Sequence, residues 1–297
     1  MMKVLLTGGK GMLGRTLVRE LGGDFEVIAT DLPETDITDK ESLDAAVLRY
    51  APDTVIHCAA MTAVDKCESE RELAYLLNEK GSANVAEVCR RHEIRLIAIS
   101  TDYVFDGDSD RPYGENDRPT GGRTVYGQSK FAGEEAVRAI CPDHVIARIS
   151  WLYGAGGPSF VHAMMSLADG SRPELKVVAD QQGNPTSTTA VARALRGILR
   201  RPELRGTFHL TCEGSATWAD FAEEIFRLAG VVQKVVPCTT AEFPRPAPRP
   251  ANSRLEKAAL RQAGLPPMPD WKAALAEFMA EEFSDEKRYA DDRPGGV

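Results

Sequence analysis

The sequence predicts a doubly wound α/β fold, a parallel sheet covered by helices on both faces. Three features point there. Short apolar, β-branched runs recur through the first half, each is followed by a stretch with helical spacing, and none of the runs alternates strictly. A strand buried on both faces carries apolar side chains at successive positions, and a parallel neighbour requires a crossover that a helix supplies. The runs are residues 4–7, 25–30, 54–58, 96–100 and 145–149. Leu13, Leu17 and Leu21 share one helical face after the first, and Leu43, Ala46, Val47 and Tyr50 do so after the second. Leu73, Leu76, Leu77, Val85 and Val88 follow the third. Beyond residue 150, Pro158, Pro173, Pro185 and Pro202 loosen the pattern, with helices expected at 190–199 and 218–229. The proline-dense segment 243–250 reads as an extended loop, 271–283 as a final amphipathic helix and 284–297 as a frayed polar tail. Residues 1–150 are therefore expected to form one domain. Residues 151–283 would form a smaller, discontinuous lobe that can return a strand to the first.

Composition narrows the partners. The 297 residues are 43% hydrophobic and 27% charged, with a formal charge of -8. That balance disfavours nucleic acid, whose phosphates need a basic field, but leaves room for a phosphorylated small ligand. The six cysteines (Cys58, Cys67, Cys89, Cys141, Cys212 and Cys238) form no C-x-x-C pair and read as reduced thiols. Neither an export signal nor a membrane span is visible, so a soluble, cytoplasmic protein is expected.

The segment Thr7-Gly8-Gly9-Lys10-Gly11-Met12-Leu13-Gly14 places Gly8, Gly11 and Gly14 at G-x-x-G-x-x-G spacing. It closes a predicted strand and opens a predicted helix. In that context glycines let the backbone approach a pyrophosphate, whose charge meets the free N–H groups of the helix. The first domain is then Rossmann-type and the cofactor NADPH or NADH. Asp31, ending the second strand, suits ribose hydroxyls and favours NADH, whereas Lys10 suits a 2′-phosphate and favours NADPH. Asp36, beside Ile37, is a candidate for the adenine amino group or alternatively a helix N-cap.

Tyr126 and Lys130 stand at i and i+4, so on a helix both project from one face. A phenol ionises near ~10, and a cation one turn away favours its phenolate. Tyrosine then suits the general acid that protonates an alkoxide, and lysine can also hold a nicotinamide ribose. Thr101, after the fourth strand, is the first candidate for a hydroxyl that bonds the substrate oxygen, with Ser100 as the alternative.

Together these residues resemble the extended short-chain dehydrogenase/reductase superfamily, and within it the dTDP-4-dehydrorhamnose reductase branch. The resemblance runs along nearly the whole chain, through residues 59–66, 100–107, 126–130, 148–154, 180–186 and 249–255. It implies reduction of a nucleotide-sugar 4-ketone, with Thr101, Tyr126 and Lys130 as catalytic triad. It adds Ala59 and Ala60 to Gly8, Lys10, Gly11, Met12, Leu13, Gly14, Asp31, Asp36, Ile37, Tyr126 and Lys130 on the cofactor side. On the substrate side it implies Thr101, Asp102, Tyr103, Val104, Phe105, Tyr126, Trp151, Arg249 and Asn252, with Trp151 against the sugar and the last two at the diphosphate. Asn78 resembles the superfamily's relay asparagine, or else sits on a helix surface.

The chain also departs from the branch. His57 stands where relatives have asparagine and is expected to be a packed, hydrogen-bonded residue. Thr16 and Thr189 replace glutamates that hold a bridging magnesium in some members; hydroxyls are poor ligands for a hard dication, which argues against a magnesium-linked dimer and for a monomer or a metal-free homodimer. No other metal is expected. A 4,6-dehydratase carries Asp-Glu after the threonine, whereas this chain has Asp102-Tyr103, which disfavours dehydration. An epimerase remains open, as does a non-catalytic subunit resembling the β subunit of methionine adenosyltransferase.

Overall fold

The computed structural model describes residues 1–168 and 171–283, so the expected frayed tail lies outside the described residues. All five expected strands form: β1 (Lys3–Thr7), β2 (Glu26–Thr30), β3 (Thr54–His57), β4 (Arg95–Thr101) and β5 (His144–Ile149). They are followed by β6 (Leu152–Tyr153), β7 (Glu174–Val178), β8 (Gln182–Gly183), β9 (Thr186–Ser187), β10 (Gly206–His209), β11 (Ala216–Thr217) and β12 (Lys234–Cys238). The main sheet runs β2-β1-β3-β4-β5-β10, and every pair in it is parallel. Successive residues enter different cores. Val4, Leu6, Ile56, Ile97 and Val145 join one apolar cluster, while Leu5, Val55, Leu96 and Ile146 join the other. This two-sided burial is why the runs lack alternation.

Helices α1 (Met12–Leu21) and α2 (Lys40–Tyr50) lie on opposite faces, contributing Leu17 and Leu43 to different clusters. The chain therefore reverses direction across β1, opening a crevice at the carboxyl ends of β1 and β3. After β3 come α3 (Val64–Ser69), α4 (Arg71–Tyr75), a π turn (Leu76–Lys80) and α5 (Gly81–Arg91), in place of one continuous helix. The wider π turn shifts the apolar stripe. Leu73 and Leu76, expected on the inner face, are 40% and 42% exposed, while Val85 and Val88 are buried as expected.

The second half contains α7 (Phe160–Leu167), α8 (Thr188–Leu199), α9 (Trp218–Ala229), α10 (Ala258–Gln262) and α11 (Trp271–Glu282), after α6 (Val125–Ile140) in the first. In α11, Trp271, Ala274, Leu275, Phe278 and Met279 are buried at helical spacing. β7 and β12 pair in parallel outside the main sheet. The returning strand expected from the second half is β10, whose position was not marked because Gly-Thr-Phe-His is no apolar run. It joins β5 through register pairs such as Phe208 with Ala147.

Candidate active site

The glycine loop follows β1 and packs against the segment after β3. Gly8 has φ +73°, and a Cβ there would lie 2.6 Å from the Ala59 nitrogen. A Cβ on Gly14 would stand 2.5 Å from the Gly8 carbonyl oxygen, so only glycine lets α1 start this close to the loop. Gly11 caps α1 without a side-chain hydrogen bond, leaving first-turn amides available to an anion. This end of α1 borders a cavity of about 380 Å³. Its wall contains Gly8, Gly11, Met12, Leu13, Gly14, Asp31, Asp36, Ile37, Ala59, Ala60, Tyr126 and Lys130. Every expected cofactor residue is thus on one wall except Lys10. The Lys10 ammonium donates at 2.6 Å to the carbonyl of Leu32, which is on that wall. Asp31 accepts from the backbone N–H groups of Lys10 at 3.0 Å and Leu32 at 2.9 Å, tying the loop to the end of β2. Asp36 accepts from the Thr38 amide at 2.8 Å, and the N-cap of α2 is Asp39 rather than Asp36. The uncapped amides, the Gly8 clearance and the apolar wall fit a dinucleotide.

Tyr126 and Lys130 project from the first turns of α6 into the same cavity. That helix start is held by Thr124, whose hydroxyl accepts from the Gly127 amide at 2.9 Å, and by Glu68, which accepts from the Val125 amide at 2.9 Å. Lys130 Nζ donates to the Ile99 carbonyl of β4 at 2.7 Å. Burial lowers Lys130 to about 8, with Glu134, one turn further along, acting in the opposite direction. Burial raises the Tyr126 phenol well above its usual value; the Thr101 hydroxyl, which it faces, lowers it, and the Asp102 carboxyl raises it. The group that favours the phenolate in this structure is therefore Thr101, where the one-turn spacing had pointed to Lys130.

The neighbouring Ser100 belongs to a different network. Its hydroxyl donates to Glu134 at 2.5 Å, and Glu134 also accepts from Arg148 at 2.9 and 2.7 Å and from Arg138 at 2.8 Å. Arg148 and Glu134 are 1% and 3% exposed, so this is a buried, fully bonded ion pair. His209 Nδ1 is 2.7 Å from the Glu256 carbonyl and must donate to it. Nε2 is then the acceptor for Arg148, which fits a burial-depressed His209 near 3. With the Ser100 proton committed to Glu134, Thr101 is the hydroxyl left for Tyr126.

A second cavity, of about 840 Å³, is lined by Tyr103 and Asp65 from the first half and mainly by residues after 150. Those residues include Phe160, Arg172, Lys176, Gln181, Trp218, Arg245 and Arg249. Arg249 donates to Asp65 at 2.8 Å. Phe105 stacks on Tyr113 at 4.3 Å and borders a smaller recess shared with Tyr103 and Arg249. Four expected substrate residues are placed otherwise. Val104 is fully buried core. Asn252 donates to the Ser109 and Arg111 carbonyls at 2.7 and 2.8 Å and accepts from Arg254, so its amide clamps a loop. The Trp151 indole stacks on Trp218 at 3.6 Å and donates to Ser253 at 3.0 Å; Trp218 and Phe160, missed in the sequence, supply the aromatic wall instead. Asp102 is 4% exposed and sits behind Thr101. The basic residues Arg172, Lys176 and Arg245 carried no motif that could have marked them.

His57 and Asn78 are both 1% exposed. Ser82 donates to the Asn78 carbonyl at 2.7 Å, so His57 Nε2 donates to Ser82 and Nδ1 accepts from Thr7. His57 is the packed, bonded residue expected, held neutral by burial near 3. Asn78 is no surface residue. It bonds both backbone groups of Met61 and donates to Ser129 at 3.0 Å, joining the segment after β3 to α6. Thr16 bonds Thr188 at 2.9 Å, and Thr189 accepts from Arg19 at 3.1 Å. No group of three or more His, Cys, Asp or Glu among the described residues is arranged to hold a metal ion, and no described helix is long and apolar enough to cross a membrane.

Comparison with known proteins supplies the family. The profile of the RmlD substrate binding domain matches residues 2–283. The dTDP-4-dehydrorhamnose reductase of Streptomyces griseus is 44% identical, covering 92% of this chain and 91% of its own. A probable dTDP-4,6-dihydroxy-2-methyloxan-3-one 4-ketoreductase of Streptomyces antibioticus is 43% identical over 93% and 94%. The structure of dTDP-4-dehydrorhamnose reductase from Bacillus anthracis in complex with NADP superimposes with a TM-score of 0.91 at 38% identity, covering 95% of this chain and all of that one. The glycine loop, the Tyr126/Lys130 wall and full-length similarity agree, and the chain belongs to the dTDP-4-dehydrorhamnose reductase family.

Proposed function

We propose that the protein reduces the 4-ketone of dTDP-4-dehydro-L-rhamnose to dTDP-L-rhamnose with NADPH or NADH. The observation that carries this is the common wall: Tyr126 and Lys130 stand one helical turn apart in the cavity that also holds the glycine loop. A reduced nicotinamide bound in that cavity would supply the hydride. Gly8, Gly11 and Gly14 with the first turn of α1 would hold its pyrophosphate, and Asp31 lies where ribose hydroxyls are met. Tyr126, kept protonated by burial, gives its proton to the oxygen of the reduced carbonyl. Lys130, lowered to about 8 by burial, presents a mostly charged ammonium at the same wall. Thr101 sets the Tyr126 hydroxyl, a change from the carbonyl-orienting role inferred from sequence. Arg249, with Arg172 and Arg245 on the wall of the larger cavity, suits a diphosphate, and Trp218 and Phe160 suit the base or sugar. On this reading residues 1–150 mainly carry the cofactor and residues 151–283 mainly the sugar nucleotide, with β10 returning to the first sheet. The working form is a monomer or homodimer in the cytoplasm, without nucleic-acid or membrane partners.

The near-equal identities to a rhamnose-type reductase and to a 4-ketoreductase of another dTDP sugar favour one second reading, a stereochemically different dTDP-4-keto-6-deoxy sugar as substrate. The test mixes the protein with NADPH and each keto-sugar, follows absorbance of the reduced nicotinamide, and assigns product configuration at C4 by NMR. Turnover of dTDP-4-dehydro-L-rhamnose to the rhamno product supports the first reading. Preference for another keto-sugar supports the second, and cofactor binding without turnover of any would leave neither.

A further inference from the structure

Asp102 opens the short 3-10 turn after β4 and is 4% exposed. Its Oδ1 lies 2.9 Å from Thr101 Oγ1, while its Oδ2 is buried without a hydrogen-bond partner. Ser253 stands beside it, but that hydroxyl donates to the Gln182 carbonyl at 3.2 Å and accepts from Trp151 at 3.0 Å. A buried carboxylate with an unpartnered oxygen is costly, and a proton removes the cost. Burial accordingly raises Asp102 to about 7, with the Thr101 hydroxyl, the Asp102 and Tyr103 backbone amides and the nearby Ser253 acting in the opposite direction. The titratable groups that face it are Tyr126 from α6 and Tyr103 from its own turn, phenols that burial and the Asp102 carboxyl both push upward, so they stay neutral.

Counting protons at Thr101 shows what that carboxyl decides. The Thr101 oxygen already accepts from the Tyr103 amide at 3.2 Å, leaving one lone pair and one proton. If Asp102 is ionised, it takes the Thr101 proton, and the remaining lone pair draws in the Tyr126 proton, away from any substrate. If Asp102 is protonated and donates to Thr101, both lone pairs are filled. The Thr101 proton must then point at Tyr126, whose own proton is free for the substrate.

We propose that Asp102 is a positioning residue whose acid form orders a proton chain from Asp102 through Thr101 and Tyr126 to the carbonyl oxygen. This rests on the reductase reading. As hydride reaches the carbonyl carbon from the reduced nicotinamide, the C=O π pair moves to oxygen and takes the Tyr126 proton. In the same concerted step Tyr126 takes the Thr101 proton and Thr101 takes that of Asp102. One proton has moved from Asp102 to the alcohol, and bulk water later returns it to the carboxylate.

The acid form predominates below pH about 7, so wild-type kcat should fall as pH rises through that value. Asp102→Asn donates permanently to Thr101 but has no proton to give. Its kcat should be lower by about tenfold or more and should no longer fall across neutral pH. Independently of turnover, infrared difference spectra of the cofactor-free wild type against Asp102→Asn should show a protonated-carboxyl band that vanishes with a midpoint near 7. If the variant does not fold, kcat of the wild type in mixtures of water and deuterium oxide still decides: several protons in flight curve the dependence, and a straight line overturns the chain. Absence of the infrared band, or a variant retaining the wild-type fall, also overturns it while leaving the reductase intact. A wild type that leaves NADPH unused with dTDP-4-dehydro-L-rhamnose overturns the reductase reading and the chain together.

Discussion

Replacing Lys130 by methionine should stabilise the protein while disabling it. The side chain is 7% exposed, and its ammonium donates a hydrogen bond to the Ile99 carbonyl. Burial lowers it from 10.5 to about 8. At ~1.36 kcal/mol per pH unit, keeping that ammonium charged in the folded protein at neutral pH costs about 3 kcal/mol. Methionine removes the charge at similar length and forfeits one hydrogen bond worth about 1 kcal/mol, leaving a net gain of about 2 kcal/mol. The unfolded chain keeps its lysine proton up to its ordinary pKa, the folded protein only up to about 8. The penalty is therefore fully present below about 8 and is relieved as pH rises toward 10.5, so the variant's advantage should shrink over that window. Urea unfolding of both proteins at a series of pH values measures it, beside calorimetric titration with NADPH, whose affinity should fall. A variant less stable than wild type at neutral pH, or an advantage that does not shrink with pH, would refute the assignment of Lys130 as a strained, buried cation.

Other substitutions test the rest of the site. Tyr126→Phe should lower kcat by ~10²–10⁴-fold while calorimetry finds NADPH affinity nearly unchanged. Glu134→Gln leaves the Arg148 guanidinium, 1% exposed, without its counter-charge and should cost about 3–5 kcal/mol in urea unfolding. Gly14→Ala drives a Cβ to within 2.5 Å of the Gly8 carbonyl oxygen; NADPH affinity should drop by about tenfold or more, read by fluorescence titration. Arg249→Ala should raise KM for the sugar nucleotide with little change in kcat, as expected of binding that is uniform between ground and transition states.

Much of this protein can be read along the chain because its determinants are local. Glycine spacing at Gly8, Gly11 and Gly14, the i, i+4 relation of Tyr126 and Lys130, and unbroken apolar runs follow from backbone sterics and helix or strand period, and each appeared where expected. Features that depend on which distant segments meet were not legible. The four residues of β10 form a strand only because β5 offers an edge. Trp151 and Asn252 looked free to meet a ligand, yet Trp218 and the loop carbonyls of Ser109 and Arg111 engage them across large sequence separations. Asp102 was expected to meet the substrate, yet packing buried it behind Thr101 and left Oδ2 unpartnered. Local periodicity determined the scaffold and the Tyr126/Lys130 pair; desolvation and proton counting, which exist only after packing, decided the charge states and directions of the groups around them.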